Sequence, residues 1–238
     1  MRVALISYTP NPELVIAAAA RASTSRREWD FPLESEDPQK IHSFLSKLLA
    51  AGHLSPFEHA SFTFAIEGIS RVASHQLVRH RIASYVQQSQ RYTPISSPNF
   101  VIPPTIASNP KYRGEFERIF NEAFKLYSQM AEDGIPLEDA RYILPSAVET
   151  RLIMTMNARE LLHVCSLRLC NRSQWEIREL FKKVKEEVSK VAPFLGSHLL
   201  PKCHFLGYCN ELESCGLFPK RSEKEEGECR LRSSTEGR

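Results

Sequence analysis

The sequence predicts a mixed α/β fold of the α+β class, with a central, twisted, mainly antiparallel sheet flanked by helices. Two stretches alternate apolar and polar residues, Ser61 to Glu67 and Val148 to Met156, which is the pattern of strands that bury one face. Other stretches repeat apolar residues at helical spacing, and the chain lacks regular βαβ alternation and a Gly-rich phosphate loop. A Rossmann domain and a P-loop enzyme are therefore not supported, and any bound nucleotide would be held by side chains.

The first elements follow from local signals. Val3 to Tyr8 is predicted as a short buried strand. Asn11-Pro12-Glu13 then opens a helix through Ala17 to Ala20, because proline suits an early helical position. A second helix is predicted to begin at Asp37-Pro38 and to end at Ala51-Gly52.

The later elements are mainly helical. A long helix carries an apolar stripe from Phe116 to Met130 and is closed by Gly134. Asn157 is suited to cap the next helix, and Ser173 starts another. Both of these helices have apolar residues at helical spacing, which predicts that each buries one face.

Composition bounds the protein class. The chain has 238 residues, and 31 basic residues face 28 acidic ones, so nonspecific nucleic-acid binding is not indicated. No run of about 18 apolar residues or secretory leader occurs, which predicts a cytoplasmic protein without a membrane segment. We expect one domain over residues 1–200, a Cys-containing extension over 201–218 and a disordered tail over 219–238, where apolar residues are almost lacking.

The six cysteines do not form a disulfide scaffold in a chain of this length. Cys165 and Cys170 fall in an apolar helical pattern and are interpreted as inert small hydrophobes. Cys203, Cys209 and Cys215 recur with five residues between them. With the adjacent histidine they could bind a thiophilic metal, but the spacing differs from that of common zinc sites, so reduced thiols and no metal are predicted.

An anion site is predicted over Arg79 to Tyr92, Arg-His-Arg-Ile-Ala-Ser-Tyr-Val-Gln-Gln-Ser-Gln-Arg-Tyr. Its three guanidiniums match phosphate oxygens two at a time, and Ser84 and Ser89 add neutral donors. A solvated basic surface is usually rich in Lys and Glu, and neither occurs here. The alternative is a surface turn with incidental arginines. Glu138 and Arg141 lie at i, i+3, a spacing typical of an exposed ion pair.

Two more segments carry polar side chains suited to chemistry. The loop Gly52 to His59 holds two histidines and a carboxylate, which suit proton transfer, ring stacking or a plain polar connection. On the helix that Asn157 starts, Arg159 and His163 lie one turn apart, and Arg168 follows. These side chains could converge on one ligand.

Together these residues resemble a known family. Arg79-His80-Arg81, seven intervening residues, Ser89 and then Arg91-Tyr92 resemble the defining motif of the flavin-dependent thymidylate synthases. Further blocks resemble family segments in the same order, and the resemblance covers about residues 1–200. These blocks are His53 to His59, Arg141, Asn157 to Arg159, Arg168 and Gln174 to Ile177.

The resemblance implies an enzyme that methylates dUMP reductively to dTMP. Methylenetetrahydrofolate would donate the carbon and NADPH-reduced FAD the hydride, without a covalent enzyme thiol. The subunits would form a homotetramer, with each active site shared among several chains. No nucleic-acid or membrane partner is implied.

The resemblance also implies roles for individual residues. Arg168 would be the main catalytic group, because its permanent charge at the uracil edge stabilises negative charge on the pyrimidine, and His53 would be the second catalytic group. Contacts to FAD would come from Ser55, Arg79, His80, Arg81, Gln87, Asn157, Ala158, Arg159 and His163. Contacts to dUMP would come from Gln76, Leu77, Val78, Arg79, Gln87, Gln88, Ser89, Gln90, Arg91, Arg141 and Arg168.

Some positions depart from the common family pattern. Val86-Gln87 stands where many members have Asn-Glu, His163 where several have Asn, and Arg172 where some have His. Two other functions stay open from the sequence. One is an RNA- or nucleotide-binding module, which would need basic residues spread over a face and exposed aromatics for stacking, and the sequence lacks both features. The other is a protein of the same fold that binds FAD or nucleotide without synthase activity.

Overall fold

The computed structural model of the chain describes residues 1–23, 37–97 and 99–222. The chain divides into two compact units. Unit 1 contains Met1–Thr9 and Ser61–Met156, and unit 2 contains Pro10–Ala60 and the chain from Asn157 onward. Most of the predicted tail, residues 223–238, lies outside the described residues, as does Cys229.

Four strands form one sheet in unit 1. They are β1 (Arg2–Tyr8), β2 (Ser61–Ser70), β3 (Ala83–Gln87) and β4 (Glu149–Asn157), in the spatial order β1-β2-β4-β3. β1 is antiparallel to β2, and β3 is antiparallel to β4 with Ala83 opposite Met156 and Gln87 opposite Leu152. The predicted mixed fold with an antiparallel sheet is confirmed.

Helices make up most of the remaining described structure. They are α1 (Pro12–Ala22), α2 (Pro38–Ala50), α3 (Arg71–Leu77), α4 (Pro104–Ala107), α5 (Pro110–Glu132), α6 (Leu137–Ala140), α7 (Ala158–Arg168), α8 (Trp175–Val191), α9 (Pro193–His198) and α10 (Lys202–Leu206), with 3-10 turns at Ser55–His59 and Arg141–Ile143. Among the residues that the structure describes, no helix is long and apolar enough to cross a membrane.

The alternating strands bury the predicted faces. On β2, Phe62, Phe64 and Ile66 are fully buried, and on β4 Met154 is fully buried with Leu152 beside it on the same face. The opposite face of β4 is exposed at alternate residues. The period-2 prediction for both strands is confirmed, because successive side chains of a strand point to opposite faces.

Side-chain caps start three of the helices that bear on the site. Ser70 Oγ accepts from Ala73 N at the start of α3, and Asn157 Oδ1 accepts from Glu160 N at the start of α7. Gln174 Oε1 accepts from Ile177 N at the start of α8. These bonds satisfy backbone donors that have no partner within the helix. The predicted cap at Asn157 is confirmed, whereas Gln174 rather than Ser173 caps α8.

A carboxylate joins three helices in unit 2. Glu13 on α1 binds His42 Nε2 on α2 at 2.8 Å and accepts from Leu195 N on α9 at 3.1 Å. The His42 ring also stacks on Phe194, with centroids 5.1 Å apart. One side chain thereby fixes the two N-terminal helices of the unit against its C-terminal part.

Three predictions about individual elements were wrong. β1 is an edge strand with one neighbour, so it is largely exposed rather than buried, and Ile6 is 55% exposed. Ile119 lies on the predicted buried stripe of α5 but is 53% exposed. Cys170 lies beyond the end of α7 at Arg168, so it is not a helical core residue.

Candidate active site

The Arg-His-Arg segment forms a fixed turn between α3 and β3 in unit 1. Arg79 N bonds to the Gln76 carbonyl and His80 N to the Leu77 carbonyl, at 3.3 and 3.1 Å. The Tyr85 hydroxyl, on β3, lies 3.0 Å from both the Leu77 and the His80 carbonyl oxygens and donates to them. A single phenol on the neighbouring strand therefore holds both ends of the turn.

The side chains of this turn differ in exposure. Arg79 and Arg81 are exposed, so their guanidiniums are available to a ligand. His80 is only 7% exposed and Leu77 is fully buried, so Leu77 can meet a ligand only through its backbone. Val78 is exposed and Gln76 is half-buried. Two cations on one rigid turn form a donor set suited to an anionic ligand.

The stretch after the turn is partly a strand, which sequence reasoning missed. Within the predicted anion site, residues Ala83–Gln87 form β3 and pair with β4. Only five residues alternate there, and the outward Val86 is 73% exposed. Polar residues and a short length conceal an edge strand from periodicity alone.

A second arginine cluster lies in unit 1 and is built around Glu138. Glu138 Oε2 accepts from Arg91 Nε at 2.8 Å and lies 2.7 Å from Arg91 Nη2. Arg141 Nε donates to the Glu138 backbone carbonyl at 3.0 Å. The pair expected between the Glu138 and Arg141 side chains is replaced by one between Glu138 and Arg91. One residue thus holds Arg91 and Arg141, two of the four arginines that the resemblance assigns to dUMP.

Arg71 adds a third cation to this cluster and was missed by the sequence analysis. Burial, followed by the nearby charge of Arg141, lowers the pKa of the Arg71 guanidinium below its usual value. Two arginines that repel each other create a strongly positive potential, which favours an anion. Arg71 and Arg141 are 70 positions apart in the chain, so a single sequence does not indicate that their charges lie close together.

The segment Gln87 to Ser89 borders a cavity of about 340 Å³ in unit 1. Gln87 Nε2 donates to Thr150 Oγ1 at 3.1 Å, and Ser89 Oγ accepts from Arg91 N at 3.2 Å. Arg151, which no motif had indicated, also lines this cavity. Gln87, Gln88, Ser89 and Gln90 are all half-buried, so they remain accessible to a ligand.

Unit 2 carries the other candidate residues. His53 and Ser55 are exposed in the connection between α2 and the 3-10 turn. The Arg159 guanidinium, on the first turn of α7, pairs with the Glu58 carboxylate. Ala158 is fully buried, and its backbone N–H donates to the Ala60 carbonyl at 2.8 Å.

The two remaining candidates of unit 2 lie along α7. His163 is exposed on its middle turn, and Arg168 is its half-buried last residue. Burial raises the pKa of the Glu160 carboxyl, and the neighbouring His163 partly opposes this shift. The predicted placement of Arg159, His163 and Arg168 on one helix is confirmed.

A metal centre is not formed by the described residues. Within residues 1–23, 37–97 and 99–222, no group of three or more His, Cys, Asp or Glu side chains could hold a metal ion. The donors in both units are guanidiniums, amides, hydroxyls and imidazoles, which bind anions and polar organic ligands.

Comparisons with known proteins agree with this donor set. The family model described as "Thymidylate synthase complementing protein" matches residues 4–194. The flavin-dependent thymidylate synthase of Geobacter sulfurreducens is 46% identical over 213 residues, covering 89% of this chain and 91% of the relative. That of Pyrococcus abyssi is 45% identical over 237 residues, covering 94% and 96%.

A solved structure has the same fold. It is a UMP/dUMP methylase from Streptomyces cacaoi bound with 5-Br dUMP, with a TM-score of 0.72 and 24% identity, covering 83% of this chain and 93% of that one. At this identity the similarity establishes the fold. The matched family model and the coverage of the relatives show that the chain belongs to the flavin-dependent thymidylate synthase family.

Proposed function

We propose that this chain methylates dUMP reductively to dTMP in thymidylate biosynthesis, with methylenetetrahydrofolate as the carbon donor and NADPH as the reductant of bound FAD. The observation that carries the proposal is the pair of arginines held on Glu138, in a chain that belongs to this family. A protein of this fold that binds FAD or nucleotide without synthase activity would keep the same binding arginines, so formation of dTMP is what separates the two functions.

The phosphate of dUMP is assigned to the cluster on Glu138. Arg91 and Arg141 each keep guanidinium donors that Glu138 does not use, because its carboxylate takes Nε and Nη2 of Arg91 and its carbonyl takes Nε of Arg141. Ser89 adds a hydroxyl next to Arg91. A dianion in this position meets two fork-shaped donors and one neutral donor.

Donors for the flavin are assigned within each unit by itself, on the Arg-His-Arg turn in unit 1 and at the start of α7 in unit 2. Exposed Arg79 and Arg81 suit a pyrophosphate, and Asn157 and Arg159 add an amide and a guanidinium at the start of the 11-residue α7. The donor chemistry of the chain therefore fits FAD. When bound, FAD would supply the hydride that completes the new methyl group.

Arg168 is assigned to the uracil ring. A guanidinium stays charged throughout the pH range of the reaction and can stabilise negative charge that develops on the pyrimidine. Its position at the end of a packed helix limits its motion. His53 is assigned a positioning role at the flavin or folate, and Ser89 is a ligand rather than a nucleophile.

We also propose that the active enzyme is a homotetramer in the cytoplasm. Several large side chains of unit 1 are strongly exposed, including Ile82 at 69%, Val86 at 73% and Tyr142 at 84%, and exposed apolar surface of this kind often marks an interface. The five described cysteines are all free, which suits a reducing compartment. Light scattering tests the assembly, and a fully active monomer would contradict it.

Flavin binding and phosphate recognition test this function. The purified protein should show the visible absorption of an oxidised flavin after incubation with FAD. Arg141→Ala should weaken dUMP binding about ten- to a hundredfold, because a charge-assisted hydrogen bond is lost, and should leave the weak binding of deoxyuridine unchanged. A colourless protein that takes up no FAD would overturn the proposal.

A variant of Ser89 tests whether this residue binds dUMP or acts as a nucleophile. Ser89→Ala should weaken dUMP binding and still form dTMP at saturating dUMP, because only one hydrogen bond to the ligand is removed. Complete loss of turnover with normal dUMP binding would instead assign Ser89 a covalent role.

A further inference from the structure

Four of the cysteines line one small cavity in unit 2. The cavity is bordered by Cys170, Cys203, Cys209 and Cys215. The last three of these residues lie beyond residue 194, where the match to the family model ends. We call these four side chains the thiol cluster. The residues assigned to dUMP and FAD do not include any member of the thiol cluster.

Backbone contacts bring these cysteines together from distant positions. Cys170 follows the end of α7, and Cys203 lies on α10, which ends at Gly207 with φ 71°. Cys209 N donates to the Pro219 carbonyl at 2.7 Å, and Cys209 also bridges Lys220. The ion pair of Arg172 with Glu213 and the contact of Asn171 with Cys215 then place this segment against the chain that follows α7.

Cys215 differs from its neighbours in exposure and in hydrogen bonding. Its side chain is exposed, and its sulfur accepts from the Leu217 backbone N–H and from Asn171 Nδ2, the latter at 3.7 Å. These donors, together with the charge of Arg172, lower the pKa of the Cys215 thiol. A thiol in this environment has more thiolate character, and the thiolate is the nucleophile.

Cys203 has the opposite character. Burial, followed by the nearby Cys170, raises the pKa of the Cys203 thiol, and Cys209 and Cys215 add to the shift. It therefore stays protonated next to the more acidic thiol of Cys215. One activated thiol beside protonated ones is the arrangement of an attacking cysteine and its resolving partner.

Other uses of the cavity are less compatible with the geometry. The cavity measures about 30 Å³, whereas pockets for organic ligands measure roughly 300 Å³ or more. Among the described residues, no three thiols or other ligand groups are placed to hold a metal ion. The remaining chemistry is that of the thiols themselves.

We propose that the thiol cluster is a dithiol–disulfide site, in which Cys215 attacks low-molecular-weight disulfides and another cysteine of the cluster resolves the product. In the first step the Cys215 thiolate bonds to one sulfur of the disulfide and releases the other half as a thiolate. In the second step a cluster thiol loses its proton, attacks Cys215 sulfur and releases the second half. Two protein thiols are oxidised and one disulfide is reduced to two thiols.

The test uses full-length, FAD-loaded protein with Cys229→Ser as the background, so that a cysteine outside the described residues does not react. The protein is treated with oxidised glutathione, and the modified peptides are identified by mass spectrometry over time. We expect a disulfide between Cys215 and Cys170, Cys203 or Cys209. Cys165 is the internal control, because burial raises its pKa to about 12 and should keep it unmodified.

Two variants separate the attacking from the resolving role. Cys215→Ser should slow the reaction of the cluster about tenfold or more, since the activated thiol is gone. If Cys203 is the resolving residue, Cys203→Ser should accumulate more mixed disulfide at Cys215 than the wild type. If it does not, Cys170→Ser and Cys209→Ser identify the resolving residue in the same way. Synthase activity of the reduced Cys215→Ser variant should be normal, because Cys215 lies outside the assigned site.

Three results would overturn the proposal. The first is that Cys215 reacts with oxidised glutathione no faster than Cys203 does. The second is mixed disulfide at Cys215 that no variant of the other three thiols affects. The third is a tightly bound zinc ion in the purified protein whose removal is needed before any thiol of the cluster reacts.

Discussion

Single residues in this protein often hold functional side chains through contacts that sequence spacing does not reveal. Glu138 is the clearest case, because its carboxylate binds Arg91, 47 positions away, rather than the guanidinium of Arg141, three residues after it. The arginines themselves could be predicted from their motif. The residue that arranges them could not, because an isolated carboxylate has no sequence signature.

Glu138→Gln tests how this carboxylate affects the anion site. We expect dUMP to bind about three times more tightly, because an exposed ion pair contributes little positioning energy while the carboxylate repels a dianion. The Arg141 contact is kept, since it uses the Glu138 backbone carbonyl. Isothermal titration calorimetry with dUMP and with deoxyuridine measures the two affinities. Only the affinity for dUMP should change.

Glu122→Gln is the matched control for that variant. Glu122 also pairs with an arginine, Arg118, at 2.7 Å on an exposed helix, but no site residue contacts it in the described structure. It should leave dUMP binding unchanged. Weaker dUMP binding by the Glu138 variant would show that positioning outweighs repulsion.

Glu160 gives a prediction about pH. Burial raises its pKa above the ordinary value of 4.5 in the folded protein, so the folded state binds more protons than the unfolded state just above that pH. The contribution of Glu160 to stability is therefore greatest at low pH and declines as pH rises through the folded pKa. Compared with Glu160→Gln, the wild type should lose stability in chemical unfolding as pH rises above 4.5. A constant difference across this range would contradict the assignment.

At the scale of elements, strong periodic patterns were predictable and short edge elements were not. The two alternating strands, the long helix and the Asn157 cap all follow from local sequence. β3 escaped prediction because its five residues include Ser84 and Gln87 and its outer face is open to solvent. Edge strands bury little, so the apolar alternation that identifies a strand is weak there.

Tyr85→Phe tests the link between β3 and the Arg-His-Arg turn. Loss of the hydroxyl removes the contacts to the Leu77 and His80 carbonyls and should reduce stability by about 1 kcal/mol. FAD should also bind more weakly, because the turn that carries Arg79 and Arg81 is less restrained. Flavin absorbance retained after gel filtration measures this effect.

Tyr142→Phe provides the comparison, since that tyrosine is 84% exposed. It should retain FAD like the wild type, because only a hydroxyl is removed and the exposed ring stays in place. Equal FAD retention by the Tyr85 and Tyr142 variants would show that the phenol does not support the flavin site.

At the scale of the whole molecule, the candidate residues are divided between the two units. Arg79, Arg81, Arg91 and Arg141 belong to unit 1, whereas His53, Asn157, Arg159 and Arg168 belong to unit 2. The sequence predicted the residues through ordered motifs along the chain. It could not predict whether one chain or several complete a site, because motif order carries no information about distance.

Mixed assemblies test whether an active site is shared. Arg91→Ala and Arg168→Ala subunits, coexpressed with different tags, should regain dTMP formation at low dUMP, because some sites then combine an intact Arg91 with an intact Arg168. Two differently tagged Arg168→Ala subunits serve as the control and should stay inactive. Failure of the mixed enzyme to exceed either parent would place both arginines of each site in one chain.

We propose that this chain forms dTMP with bound FAD and uses Arg168 for catalysis. The most direct measurement is anaerobic dTMP formation from dUMP, methylenetetrahydrofolate and NADPH by FAD-loaded wild type and Arg168→Ala, with dUMP binding measured on the same samples. We predict turnover by the wild type and a loss of kcat in the variant of about a hundredfold or more at saturating dUMP. No dTMP from the wild type, or equal kcat in both proteins, would contradict the claim.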